Sequence, residues 1–331
     1  MPHPQPIITF KHIAFKMPLL IYTFAKRESH NQEPTTFMKI DEVHKRLTDR
    51  YKGGIRRWQT QVTTHHSQSI SAQKNFDPNQ DFWEGSAHMF RDDPFRKNDL
   101  IVDRLIKEYS ECNSIIDIGG GAGRLALPLA LRKDQVTVID SSQAMLNELK
   151  NISTELNIKN VSSIYGLWEK KFDSIESHDG SLCSHVIYGI EDIETFITAI
   201  NTVTNKRAVI IAFMESPQGH LGDIWNAVHG EKRIHLPATP QLMDVLWEMG
   251  LEPELSILET YGAHRYENRK SGMADLMSRL YINKGTKEHK IIEDITKRIL
   301  VNTNPDNKDE VELTGSGQRS VCLITWNPKT Q

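Results

Sequence analysis

Four glycines fall within the five positions from Gly119 to Gly123, and an acid, Asp117, stands just ahead of them. They sit in SIIDIGGGAGRLALPLA, which runs from Ser114 to Ala130, between a short β-branched apolar run and a helix-like stretch. A strand that stops in a glycine-rich turn and enters a helix makes a site for a polar ligand. Missing Cβ atoms let the ligand touch the backbone, and the helix start offers unpaired N–H groups and a positive dipole end. In an open α/β sheet such a turn lies at the carboxyl ends of the strands, where ligands bind. Two nucleotide-type ligands fit. Gly121-Ala-Gly123-Arg-Leu-Ala126 reads as the dinucleotide fingerprint G-x-G-x-x-G/A, which alone is a permissive pattern. Asp117-x-Gly119-x-Gly121-x-Gly123 reads otherwise: a carboxylate at the strand end repels a pyrophosphate and attracts an ammonium or a sulfonium. S-adenosylmethionine carries both.

Other chemistry-bearing residues are scattered. Cys112, Cys183 and Cys322 form no C-x-x-C; the latter two sit in apolar runs and read as packing residues. Such cysteine usage disfavours a disulfide framework or a zinc site and suits a reducing cytoplasm. His220, His229 and His235 follow the fifth apolar run without the tight spacing of a metal site, so no metal is expected. Trp225 and His229, four apart, share a helix face and line a candidate pocket, and Trp83, His88 and Phe90 form a candidate lid. The basic stretch from Lys45 to Arg57 is a solvated face or, for an RNA substrate, a phosphate-binding patch.

These residues need a frame, and the hydrophobic pattern supplies one. Strand and helix signals alternate: Ser114–Ile118, then a helix over Gly123–Leu131; Gln135–Ile139, then Ser142–Asn151; Val161–Tyr165; Ser181–Ile187, then a helix marked by Ile193, Phe196, Ile197 and Ile200. The near-continuous apolar Ala208–Phe213 reads as a central parallel strand. A helix capped by Thr239, with Pro240 in its first turn, ends at Gly250. Glu254–Thr260 is a sixth strand, 268–301 is largely helical, 302–318 is a polar loop, and Arg319–Trp326 is the last strand. Ahead of the alternation, Ile40, Val43, Leu47 and Tyr51 mark one helix face, and Leu100, Ile101, Leu105 and Ile106 mark the inward face of another. Such alternation means a doubly wound α/β sheet with helices on both sides. With 331 residues, a net charge of −3, 38% hydrophobic and 25% charged residues, the chain has the composition of a globular protein of one large or two smaller domains. That charge gives no overall argument for nucleic acid, and no apolar run is long enough to span a bilayer. Residues 1–37 carry no acid before Glu28 and read as a disordered extension, or as sequence translated ahead of a start at Met38.

IIDIGGGAGRLALPLA followed by VTVIDSSQAML resembles the first two motifs of the class I S-adenosylmethionine-dependent methyltransferases, and the likeness covers roughly Leu100 to Trp326. GLWEK, SHVIYGIEDIETF and TWNP are similar to a prokaryotic subgroup of that family. The resemblance implies a Rossmann-like, doubly wound, seven-stranded sheet whose last strand is antiparallel and inserted beside the fifth. It divides the chain into the extension 1–37, an N-terminal helical cap region 38–110, and a methyltransferase domain 111–331 with a helical insertion at about 268–301, between strands six and seven.

The resemblance also implies roles. Asp117 sits by the methionine ammonium, and Gly119, Gly120 and Gly121 pass under the methionine and ribose. Asp140 accepts from both ribose hydroxyls, while Ser141 and Met145 line the adenine side. Leu167 or Trp168 packs on the base, with Glu169 accepting from its amino group. Ser184, His185 and Tyr188 lie where the methyl group is expected, His185 and Tyr188 being the catalytic candidates and His185 a general base. No Asn-Pro-Pro-Tyr-type motif follows the fourth strand, which argues against nucleobase nitrogen methylation. The leading expectation is methyl transfer to a small molecule in the cytoplasm, with no membrane. An RNA or protein acceptor is the alternative, and a nicotinamide-dependent oxidoreductase is a more distant one.

Overall fold

The computed structural model describes residues 45, 48–73, 81 and 83–328. The expectations for residues 1–37, and for the helix face at Ile40, Val43 and Leu47, lie outside the described residues.

Ten strands and ten α-helices are named here in chain order: α1 (Gly54–Ala72), α2 (Leu100–Glu108), β1 (Ser114–Ile118), α3 (Ala126–Ala130), β2 (Gln135–Asp140), α4 (Gln143–Glu155), β3 (Val161–Tyr165), α5 (Trp168–Lys171), β4 (His178–Ser184), α6 (Ile193–Val203), β5 (Thr204–Phe213), α7 (Gly222–His229), α8 (Thr239–Glu248), β6 (Glu254–Tyr261), β7 (Arg265–Tyr266), α9 (Arg269–Arg279), α10 (Lys287–Ile299), β8 (Leu300–Val301), β9 (Val311–Leu313) and β10 (Arg319–Trp326). Seven of the strands form one sheet in the order β3-β2-β1-β4-β5-β10-β6. β1 to β5 pair in parallel, and β10 runs antiparallel between β5 and β6, as the family resemblance implies. The order reverses between β1 and β4, so the crevice above the carboxyl ends of these two strands is the binding place of a doubly wound sheet.

Apolar strands buried on both faces need a helical layer on each side. On one side Ile116, Ile118, Ile210 and Ile324 pack with α6, α8 and α1, through Phe196, Leu246 and Trp58. On the other, Ile115, Val136, Leu182 and Val209 pack with α2, α3 and α4. α1 is thus part of the core. Trp58 is fully buried, and its indole N–H donates to Ile190 O at 2.8 Å. The start of α1 is capped from a distance: the Gly53 and Ile55 amides donate to the two carboxylate oxygens of Glu248 at 2.7 and 2.8 Å. These are amides that no intrahelical bond satisfies. A third core, built on Trp225, Leu276, Leu280 and Ile292, joins α7 to the excursion between β6 and β10.

Several sequence expectations shift. α3 begins at Ala126 rather than Gly123, because Gly121 and Gly123 take φ of +55° and +85° and keep the chain out of the right-handed helix until the turn is complete. β4 spans His178–Ser184 rather than Ser181–Ile187. His178 anchors its start through Thr137 Oγ1 at 2.9 Å, and His185 turns out of the strand with φ +59°. Ala238, not Thr239, caps α8; the Thr239 hydroxyl donates instead to Phe213 O at 2.8 Å. Leu100, expected inward, is exposed. The expected polar loop 302–318 contains β9, the centre of a small antiparallel sheet β7-β9-β8. A three-residue strand with one buried polar-flanked edge leaves too little periodicity to see in the sequence.

Candidate active site

The glycine turn is built around two carboxylates. Asp117 ends its side chain in the protein interior, 2% exposed, and its Oδ1 has no hydrogen-bond partner among the described residues. A Cβ on Gly120 would stand 2.6 Å from the other oxygen of this carboxylate. The chain therefore runs directly over Asp117, and only a residue without a side chain permits it. At Gly119 φ is +70°, and a Cβ would meet Val186 Cγ2 at 2.4 Å. Burial, with the nearby Asp140 charge second, raises the Asp117 pKa to about 7. A buried carboxyl with an orphaned oxygen beside a bare backbone is a cradle waiting for a cation.

Asp140 closes the other side of the turn. Its Oδ2 accepts from the Gly121 amide at 2.9 Å and its Oδ1 from the Ser142 amide at 2.8 Å. Burial pushes its pKa up, and these amide bonds oppose the shift. Met145 is buried on the next helix, its sulfur 3.7 Å from where a Gly121 Cβ would lie. Ala87 packs with Ala122 and Met145. This brings the short helical turn Ala87–Phe90 against the glycine loop, with the Trp83 and Phe90 rings edge to face at 5.0 Å. Arg91 fastens this segment to α4 through Glu148 and Glu155.

Asp81 belongs to the same cover and was missed in the sequence. Its Oδ2 accepts from the Ser142 hydroxyl at 2.9 Å and the Ala144 amide at 3.2 Å, adding an acid to the start of α4. An Asp two residues ahead of a tryptophan in a polar, irregular stretch carries no local signal; only the fold brings it to α4.

The structure gathers Asp117, Gly119, Gly120, Gly121, Asp140 and Met145 on one crevice, with Ser141 exposed at its rim. The Gly166–Glu169 group divides. Leu167 is half exposed, whereas Trp168 is turned into the core, 4% exposed, its indole N–H directed at Phe196 O at 3.4 Å. Trp168 is a packing residue, since a ring buried among Phe196 and its neighbours presents no face to a base. Glu169 is half-buried and lies within electrostatic range of Cys183, near the end of β4.

Beyond Ser184, which is half-buried, the methyl-side candidates are linked. His185 Nδ1 is 2.9 Å from the Tyr188 hydroxyl, and that oxygen accepts from the Phe213 amide at 2.7 Å. The His185 and Phe213 rings are 4.5 Å apart. His185 keeps an exposed edge, yet the surrounding protein, with Arg124 and Arg319 nearby, pushes its pKa down to about 4. Burial pushes the Tyr188 hydroxyl well above its usual range. The histidines after β5 do not converge: His229 Nε2 bonds Leu280 O at 2.9 Å, while the His220 ring lies 4.6 Å from His264.

Residues 109–218 match the family model described as "Methyltransferase domain". A protein of Haemophilus influenzae, described as uncharacterized, is 24% identical over 220 residues, covering 65% of this chain and 76% of that one. The Ribosomal RNA small subunit methyltransferase G of Trichodesmium erythraeum is 38% identical over 87 residues, covering 26% of this chain and 32% of that protein. The Ubiquinone biosynthesis O-methyltransferase of Rickettsia bellii is 28% identical over 127 residues, covering 38% and 52%. The chain thus spans a third to a half of the methyltransferases it matches by name. The strand order β3-β2-β1-β4-β5-β10-β6 and the glycine turn after β1 agree with that domain match, and together they support a class I S-adenosylmethionine-dependent methyltransferase family. It is a transferase with a Rossmann-like sheet. No helix among the described residues is long and apolar enough to cross a membrane.

Proposed function

We propose that the protein transfers a methyl group from S-adenosylmethionine to a small-molecule acceptor by in-line displacement. The observation that carries the cofactor side is the buried, unpartnered Asp117 oxygen behind Gly120. It suits the amino-acid ammonium of the cofactor. Asp140, already oriented by the Gly121 and Ser142 amides, has lone pairs left for the ribose hydroxyls. Bound there, the cofactor supplies an electrophilic methyl on a sulfonium, so the protein has mainly to position and to exclude water. Positioning alone supplies roughly 7–11 kcal/mol in favourable cases.

His185 stands at the end of β4 with Nδ1 engaged by Tyr188, which leaves Nε2 for the acceptor. With a pKa near 4 the ring is neutral throughout the physiological range. That suits accepting a hydrogen bond from an acceptor hydroxyl better than holding its proton. The Phe213 ring, 4.5 Å from the His185 ring, supplies an apolar wall for a small acceptor. An RNA acceptor is the second reading. Its support is the match to the ribosomal RNA enzyme. On the basic stretch it invokes, Arg57 already faces Asp244 at 3.4 Å.

Calorimetric titration with S-adenosylhomocysteine, beside NAD, tests the proposal. Micromolar binding of S-adenosylhomocysteine, weakened about tenfold or more in Asp140→Ala, is the expected result. Preference for NAD, or no binding, overturns it.

A further inference from the structure

Five buried side-chain atoms among the described residues lack a hydrogen-bond partner: Asp117 Oδ1, Ser216 Oγ, Trp225 Nε1, His264 Nε2 and Arg319 Nε. The first belongs to the cofactor crevice. The other four belong to residues that follow the carboxyl end of β5 or lie at and before the start of β10. Ser216 and Trp225 line a cleft with Leu221, Arg233, His235 and Arg279. Arg279 joins this cleft to its neighbours, acting electrostatically on His220, His264 and Arg319. A buried N–H without an acceptor costs about 1–3 kcal/mol, so several in one place require a common explanation.

The charges give it. Arg233 is 5% exposed, and its partners are neutral: His65 Nε2 at 2.9 Å, Ser69 Oγ at 2.6 Å, Gln68 Oε1 at 3.4 Å and His65 O at 3.3 Å. Its guanidinium lies 3.9 Å from the centre of the Trp225 ring. Arg319 enters no ion pair among the described residues; its guanidinium stands 5.0 Å from the Phe213 ring centre. Glu231 lies within electrostatic range of Arg233, and Asp223 of His235, but no carboxylate forms an ion pair with Arg233 or Arg319 among the described residues; Asp275 and Glu215, near His264 and Arg319, are engaged elsewhere. Asp275 takes the Arg279 Nε–H at 2.8 Å and the Tyr266 hydroxyl at 2.9 Å, and exposed Glu215 accepts the Ser320 amide at 3.1 Å. Two guanidinium groups without an ion-paired carboxylate, beside N–H groups without acceptors, describe a site short of one anion.

We propose that the methyl acceptor carries an oxyanion, a carboxylate or a phosphate, and that Arg319, His264 and the Trp225 N–H receive it. This deepens the small-molecule reading and rests on it. The Phe213 ring is the neighbour that Arg319 and His185 share: the guanidinium lies 5.0 Å from its centre and the His185 ring 4.5 Å from it. An acceptor anchored by its anion at Arg319 extends along Phe213 toward His185 and the end of β4, which sets its reach and its orientation.

The test is calorimetric titration at constant ionic strength with inorganic phosphate and with benzoate, in the absence and in the presence of saturating S-adenosylhomocysteine. At least one of the two anions binds at millimolar concentration or tighter, and the anion that does so identifies the class. Arg319→Gln weakens it about tenfold or more, while affinity for S-adenosylhomocysteine changes less than about twofold, as for sites that do not touch. Should that variant fail to fold, Trp225→Phe removes a single orphaned N–H and keeps the core packing; it lowers anion affinity about threefold or more. Absence of binding by both anions, or a folded variant that binds them as well as the native protein, overturns the proposal. Failure of S-adenosylhomocysteine to bind overturns the methyltransferase reading instead, and the anion titration on the unloaded protein still decides the subsite.

Discussion

Lowering the pH from about 7 to about 5 is expected to weaken S-adenosylhomocysteine binding by up to about a hundredfold, and Asp117 is the reason. Its carboxyl, ordinarily ionised above pH 3.8, is raised to about 7 by burial. In the proposed binding mode the cofactor ammonium pairs with the carboxylate, not the acid. Below pH 7 each binding event must therefore expel a proton, and affinity falls by as much as tenfold per pH unit. Above pH 7 the carboxylate is already formed and the dependence levels off. The same shift fixes the sign for the free protein. The folded state holds a proton that the unfolded chain has lost between pH 3.8 and about 7, so stability falls as pH rises through that window. Held ionised and unpaired, the group costs on the order of 4 kcal/mol, at about 1.4 kcal/mol for each pH unit of displacement. Titration calorimetry in two buffers of different ionisation enthalpy reads both the affinity and the protons released. Asp117→Asn keeps the shape and removes the charge. It is expected to bind more weakly, to retain only the pH slope that Asp140 contributes, and to be more stable than the native protein above pH 7 when unliganded. A native affinity independent of pH between 5 and 7, or an equal slope in Asp117→Asn, refutes the reasoning.

Gly119→Ala combines a φ of +70° with a Cβ 2.4 Å from Val186 Cγ2; it should lower stability by roughly 1–3 kcal/mol in chemical denaturation and shift the loop enough to abolish micromolar binding of S-adenosylhomocysteine. Tyr188→Phe leaves the Phe213 amide without its acceptor and frees His185 Nδ1, for a loss of about 1–3 kcal/mol, and the His185 ring resonances should broaden or move in NMR spectra while cofactor affinity is retained. Trp58→Ala removes a fully buried indole and its bond to Ile190 O; a loss of about 3–5 kcal/mol in urea unfolding is expected, and a loss below about 1 kcal/mol shows that α1 is not part of the core.

The sequence by itself determined the order of the elements and the cofactor end of the site. Runs such as Ala208–Phe213 and Arg319–Trp326 are largely apolar, which the inside of a layered sheet can use, and the glycines after β1 leave out side chains where the chain passes over the Asp117 carboxyl. Both signals are local, carried by neighbours in the chain. Trp168 shows the limit of that locality: one residue beside Leu167, it faces the core because α5 lies against α6, and no spacing in GLWEK distinguishes the two sides. Asp81 acquires its role only when an irregular stretch crosses α4. The acceptor side was decided by tertiary structure alone. Arg233, Trp225, His264 and Arg319 are spread over several segments of the chain, and their missing anion is visible only once burial has removed water from the groups that would otherwise have satisfied it.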